Sequence, residues 1–311
     1  MLTKIATAVW NPKRPFLFLA SLSLLFTFFS CSTTPKESQF LECNQETHIR
    51  QGVDFYPPSW NTETASVTSG WESVAQGILY TSFTSNQIPL RWHLVSIDLH
   101  NHKIQPIAYP TLEQIQGKSS FTGKTTWQFL KDSSATVALN ANPFQAPFTP
   151  LFPQRSIVGL YINQGKLVSS AIARYSALCF EKQDQRWIPS IISDQTQYPP
   201  QTELALGGFF TILKEGEIKK LPACSLDSRT AIGITKDKRY LFILYVEGEN
   251  KKESTGLSYE ESALILQAVG AWDALQMDGG GSASLSVTGK TITGRHHRRA
   301  ANILAFAPIF Q

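Results

Sequence analysis

Apolar and polar positions alternate along the chain in many short runs, which is the pattern of half-buried β-strands. The first runs are Gly77–Phe83, Leu90–Leu99 and Ile104–Tyr109, and the last is Asn302–Pro308. Further strands are predicted at residues 135–139, 157–162, 171–178, 203–212, 230–235, 240–246 and 285–287. Many strands and few helices predict an α+β fold, built as a single domain on a mixed β-sheet.

Two segments have the spacing of a helix. In Ser258–Ala271, Ser258 and Glu261 form the sequence signature of a capping box, and apolar residues recur on one stripe. Thr125–Lys131 predicts a second, shorter helix.

The first 31 residues have the composition of an export signal. Basic residues precede an apolar run, Phe16–Phe29, that is too short for an ordinary transmembrane helix. The run ends in Ser30 and Cys31, which resembles a bacterial lipoprotein signal, although Phe28 stands where leucine is usual. That resemblance implies that Cys31 is lipidated and becomes the mature N-terminus. The alternatives are a plain secretory signal and an uncleaved anchor. We expect a lipoprotein of the bacterial cell envelope, anchored to the membrane on its secreted side.

Residues 32–70 are rich in Ser, Thr, Pro and Gln, so they predict a tether, with a short docked piece around Val53–Trp60. The folded domain is predicted over residues 71–311. Three cysteines follow the signal, namely Cys43, Cys179 and Cys224. Two of them could pair in an oxidising compartment, and the sequence leaves open which, if any, do so.

Several functional classes are excluded by charge and motif. The net charge of +4 is too small to predict nucleic-acid binding. The sequence Gly123-Lys124-Thr125 lacks the earlier glycine of a phosphate-binding loop, and Ser284 replaces a glycine that the elbow of a serine hydrolase needs. The chain has no H-E-x-x-H motif and no C-x-x-C pair, so zinc is not predicted.

The most informative segment is Asp278-Gly279-Gly280-Gly281-Ser282, which lies between the predicted helix and a strand. Consecutive glycines are expected where the backbone takes unusual dihedral angles or approaches a ligand closely. The plain alternative is a tight turn with a solvated aspartate.

Other polar residues stand at the ends of apolar runs, and together they form a recognisable set. The set comprises Ala138-Leu139-Asn140-Ala141-Asn142, Gly207-Gly208-Phe209, Arg229-Thr230-Ala231, Gly256-Leu257-Ser258, the Asp278 block, and Arg298 four residues before Asn302. With these motifs, residues 75–308 resemble the phosphodiester glycosidase family. The resemblance implies a hydrolase that cleaves the sugar C1–O–phosphate bond of an N-acetylglucosamine-like glycosyl phosphodiester.

The resemblance implies roles for individual residues. Arg229 and Arg298 would bind the phosphate, since a guanidinium binds phosphate oxygens bidentately. Asp278 would stabilise charge at C1, or position or deprotonate water. The N–H groups of Gly279, Gly280 and Gly281 could form an anion nest beside Ser282. Gly207 and Gly208 would let the backbone approach the sugar, and Asn140 and Asn302 would bind hydroxyls or brace loops. No cofactor is required by the sequence, and Asp278 is also a candidate ligand for a divalent cation.

Three departures from the family pattern put the substrate in doubt: Pro143 after Asn142, Ser228 before Arg229, and His297 before Arg298. His297 is either an acid–base group or a solvated surface residue. A bacterial lipoprotein fits a cell-wall or polysaccharide sugar phosphate as substrate. The rival interpretations are a non-catalytic envelope lipoprotein that binds phosphorylated glycans and a structural lipoprotein in which the glycine block is only a turn.

Overall fold

The computed structural model describes residues 48–57, 60, 70–115, 118–146, 153–221, 225–292 and 298–309. The predicted signal with Cys31, most of the predicted tether, Cys43, Cys224 and His297 lie outside the described residues. Among the described helices, none is long and apolar enough to cross a membrane.

The described part contains twenty strands and three α-helices. The strands are β1 (Glu72–Ala75), β2 (Ile78–Thr84), β3 (Arg91–Asp98), β4 (Ile104–Tyr109), β5 (Phe121–Thr122), β6 (Val137–Asn140), β7 (Phe144–Gln145), β8 (Gln154–Ile157), β9 (Tyr161–Asn163), β10 (Lys166–Ser169), β11 (Ala177–Gln183), β12 (Arg186–Ile192), β13 (Thr202–Gly207), β14 (Thr211–Lys214), β15 (Glu217–Ile218), β16 (Arg229–Ile234), β17 (Tyr240–Val246), β18 (Asp273–Gln276), β19 (Leu285–Val287) and β20 (Ile303–Pro308). The helices are α1 (Leu112–Ile115), α2 (Thr126–Asp132) and α3 (Tyr259–Ala268).

Four sheets organise these strands, with the orders β1-β2-β3-β17-β16-β18-β14-β15, β10-β9-β13-β11-β12, β19-β6-β20-β4 and β5-β8-β7. The pairs formed by β16 with β17 and β18, and by β20 with β4 and β6, are antiparallel and in continuous register. The prediction of a single, mostly-β domain with few helices is confirmed. The three helices are interspersed among the strands, with α1 and α2 on either side of β5 and α3 between β17 and β18.

The largest apolar cluster fills the space between the inner faces of the sheets, with Ile232 and Ile243 from the large sheet meeting Leu139 and Phe306 from the four-stranded sheet. A second cluster packs α3 against the other face of the large sheet. Phe55 and Trp60 belong to that second cluster and are buried. The short piece expected to dock from the predicted tether therefore contributes to the core.

Two predicted strands are wrong in extent, because each contains a glycine that ends the strand. The run 157–162 is divided between β8 and β9 at Gly159, whose φ of +83° suits glycine. The run 203–212 is divided between β13 and β14 around Gly208. The run 171–178 becomes a strand only at Ala177, and β12 was not predicted.

The two helices follow the sequence more closely. Ser258 caps α3 and Thr125 caps α2, each with both hydrogen bonds of a capping box. The helix α3 ends at Ala268 rather than at residue 271, because Gly270 follows with a φ of +92°.

Candidate active site

The glycine block forms a tight turn between β18 and β19, with a short 3-10 segment at Gly280–Ser282. Gly280 has a φ of +55°, and a β-carbon there would lie 3.1 Å from Oδ2 of Asp227. Its N–H donates to the carbonyl of Ser228 over 2.9 Å. Gly280 is therefore a glycine because of both its backbone conformation and its close neighbour.

Asn140 holds this turn against two strands. Its Nδ2 donates to the backbone carbonyl of Asp278 over 2.7 Å. Its Oδ1 accepts from the hydroxyl of Thr230 and from the backbone N–H of Ser284, both over 2.8 Å. The residue is buried. The bracing alternative thus accounts for the hydrogen bonds of Asn140, which holds the backbone of Asp278 and is itself held by Thr230 and Ser284.

The carboxyl group of Asp278 is partly buried in the turn. Burial raises the pKa of Asp278 to about 6, although the hydroxyl of Ser282, the positive charge of Arg298 and the N–H of Gly279 each oppose that rise. Ser282 and Gly279 therefore contact the catalytic candidate itself. A carboxyl group with a pKa near neutrality can exchange a proton at physiological pH.

Arg298 and Glu249 both lie close to Gly281. The Nη1 atom of Arg298 and the Oε1 atom of Glu249 are each 3.3 Å from the point where a β-carbon on Gly281 would stand. A glycine at this position leaves the two charged groups room beside the turn. Sequence reasoning missed Glu249, although an acid three residues after the end of β17 was a signal that could have found it.

Arg229 is buried beneath the turn rather than exposed beside it. Its Nε donates to the carbonyl of Leu257 over 2.9 Å, and its Nη2 donates to the carbonyl of Ser225 over 2.5 Å. The guanidinium also stacks 4.2 Å above the ring centroid of Tyr259. Only Nη1 faces the glycine turn, 3.8 Å from the position of a β-carbon on Gly279. Most of this side chain is therefore engaged in holding the loops that carry the site.

Three further predicted binding residues, Gly207, Gly208 and Asn302, are packed or hydrogen-bonded within the protein. A β-carbon on Gly207 would lie 2.7 Å from Nε2 of Gln195, and one on Gly208 would lie 2.5 Å from the carbonyl oxygen of Gln276. Both positions require glycine for packing within the protein. Asn302 is buried and donates to the carbonyl of Tyr109 over 2.7 Å, so it braces β20 against β4.

The predicted anion nest is largely used within the protein, since the N–H groups of Gly279 and Gly280 bond to Asp278 and Ser228. Within the described ranges, no cluster of three or more His, Cys, Asp or Glu side chains is arranged to hold a metal ion. Asp227 reaches Gly280 and Glu249 reaches Gly281 from different loops. The residues brought together at this turn are thus Asp278, Arg298, Glu249 and Asp227, above a buried Arg229.

Comparisons with known proteins identify the family and the fold. A family model described as phosphodiester glycosidase matches residues 133–307, which is more than half of the chain. No curated protein matches. The fold is similar to the catalytic domain of zebrafish N-acetylglucosamine-1-phosphodiester alpha-N-acetylglucosaminidase, with a TM-score of 0.55 and 17% identity, covering 76% of this chain and 85% of that one.

The fold is also similar to a hypothetical protein from Synechocystis, with a TM-score of 0.54 and 15% identity over 75% of this chain. The match spans 62% of the length of the Synechocystis protein. At these identities the two structures establish the fold alone, whereas the family model covers the strands and the turn that carry Asn140, Arg229, Asp278 and Asn302. The chain belongs to the phosphodiester glycosidase family.

Proposed function

We propose that this protein is a hydrolase that cleaves the C1–O–phosphate bond of a glycosyl phosphodiester, with an N-acetylglucosamine-like sugar, in the bacterial cell envelope. The observation that carries the proposal is Asp278, a partly buried carboxyl group with a pKa of about 6. It lies beside Arg298 on the turn formed by the glycine block. Membership of the phosphodiester glycosidase family supports the type of bond.

In the proposed reaction, Asp278 acts on the water and on C1, and Arg298 acts on the phosphate. A water oxygen bonds to C1 while the C1–O bond breaks, and its electron pair stays on the phosphate oxygen. The carboxylate of Asp278 accepts the proton of the water and stabilises positive charge at C1 as the oxocarbenium-like state develops. The guanidinium of Arg298 stabilises the departing phosphate. Phosphate leaves as an anion, so the reaction does not depend on a strong general acid.

Arg229 and Glu249 have supporting roles in this proposal. Arg229 fixes the turn through the carbonyls of Leu257 and Ser225, and its Nη1 is the one donor directed toward Gly279. Glu249 lies near Arg298 beside Gly281, where it orients the guanidinium or a sugar hydroxyl. The predicted lipid anchor at Cys31 would hold the enzyme at the membrane, next to cell-wall or polysaccharide sugar phosphates.

The first experiment measures the release of free sugar from an N-acetylglucosamine phosphodiester by the soluble form that starts after Cys31. Asp278→Asn should lower kcat by about 10²-fold or more, because general base catalysis typically contributes 10²–10⁴-fold. In the wild type, kcat/KM should fall as the pH drops below about 6, where the carboxylate of Asp278 takes up a proton.

Asp184→Asn, in an exposed turn, is the matched control and should retain full activity. Each protein is assayed with and without a chelator, which decides whether a divalent cation is needed. Unchanged turnover by Asp278→Asn would remove Asp278 from the mechanism. If the protein binds phosphorylated glycans but cleaves none of a broad panel, the interpretation as an enzyme fails and that of a glycan-binding lipoprotein takes its place.

A further inference from the structure

The small sheet of β5, β8 and β7 carries Arg155, which lies close to Arg298 and Arg299. Phe144 on β7 pairs with Ile157 on β8, and Arg155 stands two residues before Ile157, so the three side chains share one face of the sheet. The Cζ atom of Arg298 lies 5.4 Å from the ring centroid of Phe144. Arg298 therefore spans from the turn at Gly281 to the face that carries Arg155.

Gly123 brings Arg299 into the same group. A β-carbon on Gly123 would stand 2.8 Å from Cβ of Arg299 and 3.2 Å from Cγ of Arg155. A larger residue would separate these two side chains. Arg299 is held there by a hydrogen bond of 3.1 Å from its Nη1 to the carbonyl of Gly123, and Arg155 by one of 2.9 Å from its Nη1 to the carbonyl of Gln154.

The three guanidinium groups interact electrostatically. Burial, together with the positive charges of Arg298 and Arg299, lowers the pKa of Arg155. Because neighbouring like charges repel, a bound anion would stabilise this arrangement of the three arginines. Arginine is also the side chain whose planar fork best matches phosphate oxygens.

The number of cations exceeds what the proposed reaction uses. A phosphodiester carries one negative charge, and Arg298, next to Asp278, faces the scissile group. We infer that Arg155 and Arg299 form a second anion subsite, which binds a further phosphodiester of the substrate. The inference rests on the proposed function, and it identifies the substrate class as an oligomer or polymer of sugars joined through phosphodiesters rather than a sugar with one isolated phosphodiester.

The test compares two synthetic substrates in the soluble protein. The first is the methyl ester of N-acetylglucosamine 1-phosphate, which has one phosphodiester. The second is the glycerol ester of N-acetylglucosamine 1-phosphate, and its glycerol bears a second phosphodiester that is capped with a methyl group. The wild type should prefer the second substrate about tenfold or more in kcat/KM at low salt. Arg155→Gln and Arg299→Gln should each reduce that preference severalfold, mainly through KM, and each should lower the salt dependence of binding by about one released ion.

The controls separate charge from folding. Arg155→Lys keeps the charge and should retain most of the preference, and the exposed Arg186→Gln should leave it unchanged. Thermal unfolding of every variant checks that the small sheet is intact. Equal kcat/KM for the two substrates in the wild type would overturn the inference while leaving the proposed function standing.

If neither compound is cleaved, the proposed function fails for this sugar, and equilibrium binding of the same two compounds decides the inference by itself. Tighter binding of the compound with two phosphodiesters, lost in Arg155→Gln, would support the subsite. Equal affinity for both compounds would overturn the inference of a second subsite. A third compound, with a carboxylate in place of the second phosphodiester, tests the phosphate assignment, and an equal preference for it would overturn that assignment.

Discussion

The carboxyl group of Asp278 shows how one residue is tuned by its neighbours. Burial disfavours its charged form, while Ser282, Gly279 and Arg298 favour it, and the balance leaves the pKa at about 6. An aspartate in water ionises near a pH of about 3.9. At neutral pH, ionisation of Asp278 is therefore less favourable in the folded chain than in the unfolded chain.

This imbalance predicts a stability effect whose size depends on pH. Because the folded-state pKa is raised, stability due to this group is present below the unfolded-state value near 4 and is lost as the pH rises through about 6. Asp278→Asn removes the charge, so we expect it to raise the free energy of unfolding at pH 8 by up to about 3 kcal/mol. At pH 4 the two proteins should be nearly equally stable.

Denaturant unfolding at pH 4 and pH 8 measures this difference, with Asp184→Asn in an exposed turn as the control that should show none. If Asp278→Asn were less stable than the wild type at pH 8, the hydrogen bonds to the carboxylate would stabilise the folded state by more than burial of the charge destabilises it.

At the scale of elements, the glycine turn between β18 and β19 determines the shape of the site. Its three glycines are not equivalent. Gly280 needs its left-handed backbone, whereas Gly281 has an ordinary backbone and leaves space between Arg298 and Glu249. Replacing Gly281 should therefore affect the site more than the fold.

Gly281→Ala should reduce kcat/KM about tenfold or more while changing the free energy of unfolding by less than about 1 kcal/mol. The added β-carbon would lie 3.3 Å from Arg298 Nη1 and Glu249 Oε1, which are ends of flexible side chains that can move aside. The measurement is steady-state kinetics beside thermal unfolding.

Gly256→Ala is the contrasting control, because its β-carbon would lie 2.2 Å from the backbone carbonyl oxygen of Asp227, at a φ of +82°. It should lower stability severely. Full activity in Gly281→Ala would show that the space beside this glycine is not used by substrate.

At the scale of the whole molecule, the segment before β1 is joined to a helix more than two hundred residues later. Arg50 forms a bidentate pair with Glu261 in the first turn of α3, with Nε–Oε1 at 2.7 Å and Nη2–Oε2 at 3.0 Å. The backbone N–H of His48 also donates to Glu260. Glu261 is fully buried, so Arg50 is what neutralises it.

Arg50→Ala should therefore lower the free energy of unfolding by about 3 kcal/mol, because it leaves a buried carboxylate without its partner. The matched control is Arg91→Ala, which breaks the exposed pair with Glu253 and should cost at most about 1 kcal/mol. Denaturant unfolding compares the two. Adding Glu261→Gln to Arg50→Ala should recover part of the loss, and equal losses from Arg50→Ala and Arg91→Ala would contradict this account of the N-terminal segment.

The local pattern of the sequence predicted many individual elements correctly. The strands β4 and β17 have the predicted bounds, and the predicted capping box of α3 forms at Ser258. These features depend on residues close together in the chain, namely alternation for a strand and a polar residue before an apolar stripe for a helix. Two strands were predicted too long because apolar residues precede and follow Gly159 and Gly208, so the apolar pattern runs through the glycine that ends each strand.

The sequence by itself determined the family, the α+β class, and Asp278 with Arg298 as the residues of interest, since these are carried by short motifs and residue types. Tertiary structure alone decided which polar residues reach the site. It buried Asn140, Asn302 and most of Arg229 as braces, and it brought Glu249 to the turn. The physical reason is that burial and the pairing of distant strands decide whether a polar group faces solvent, the backbone or another charge, and neither can be read from neighbours in the chain.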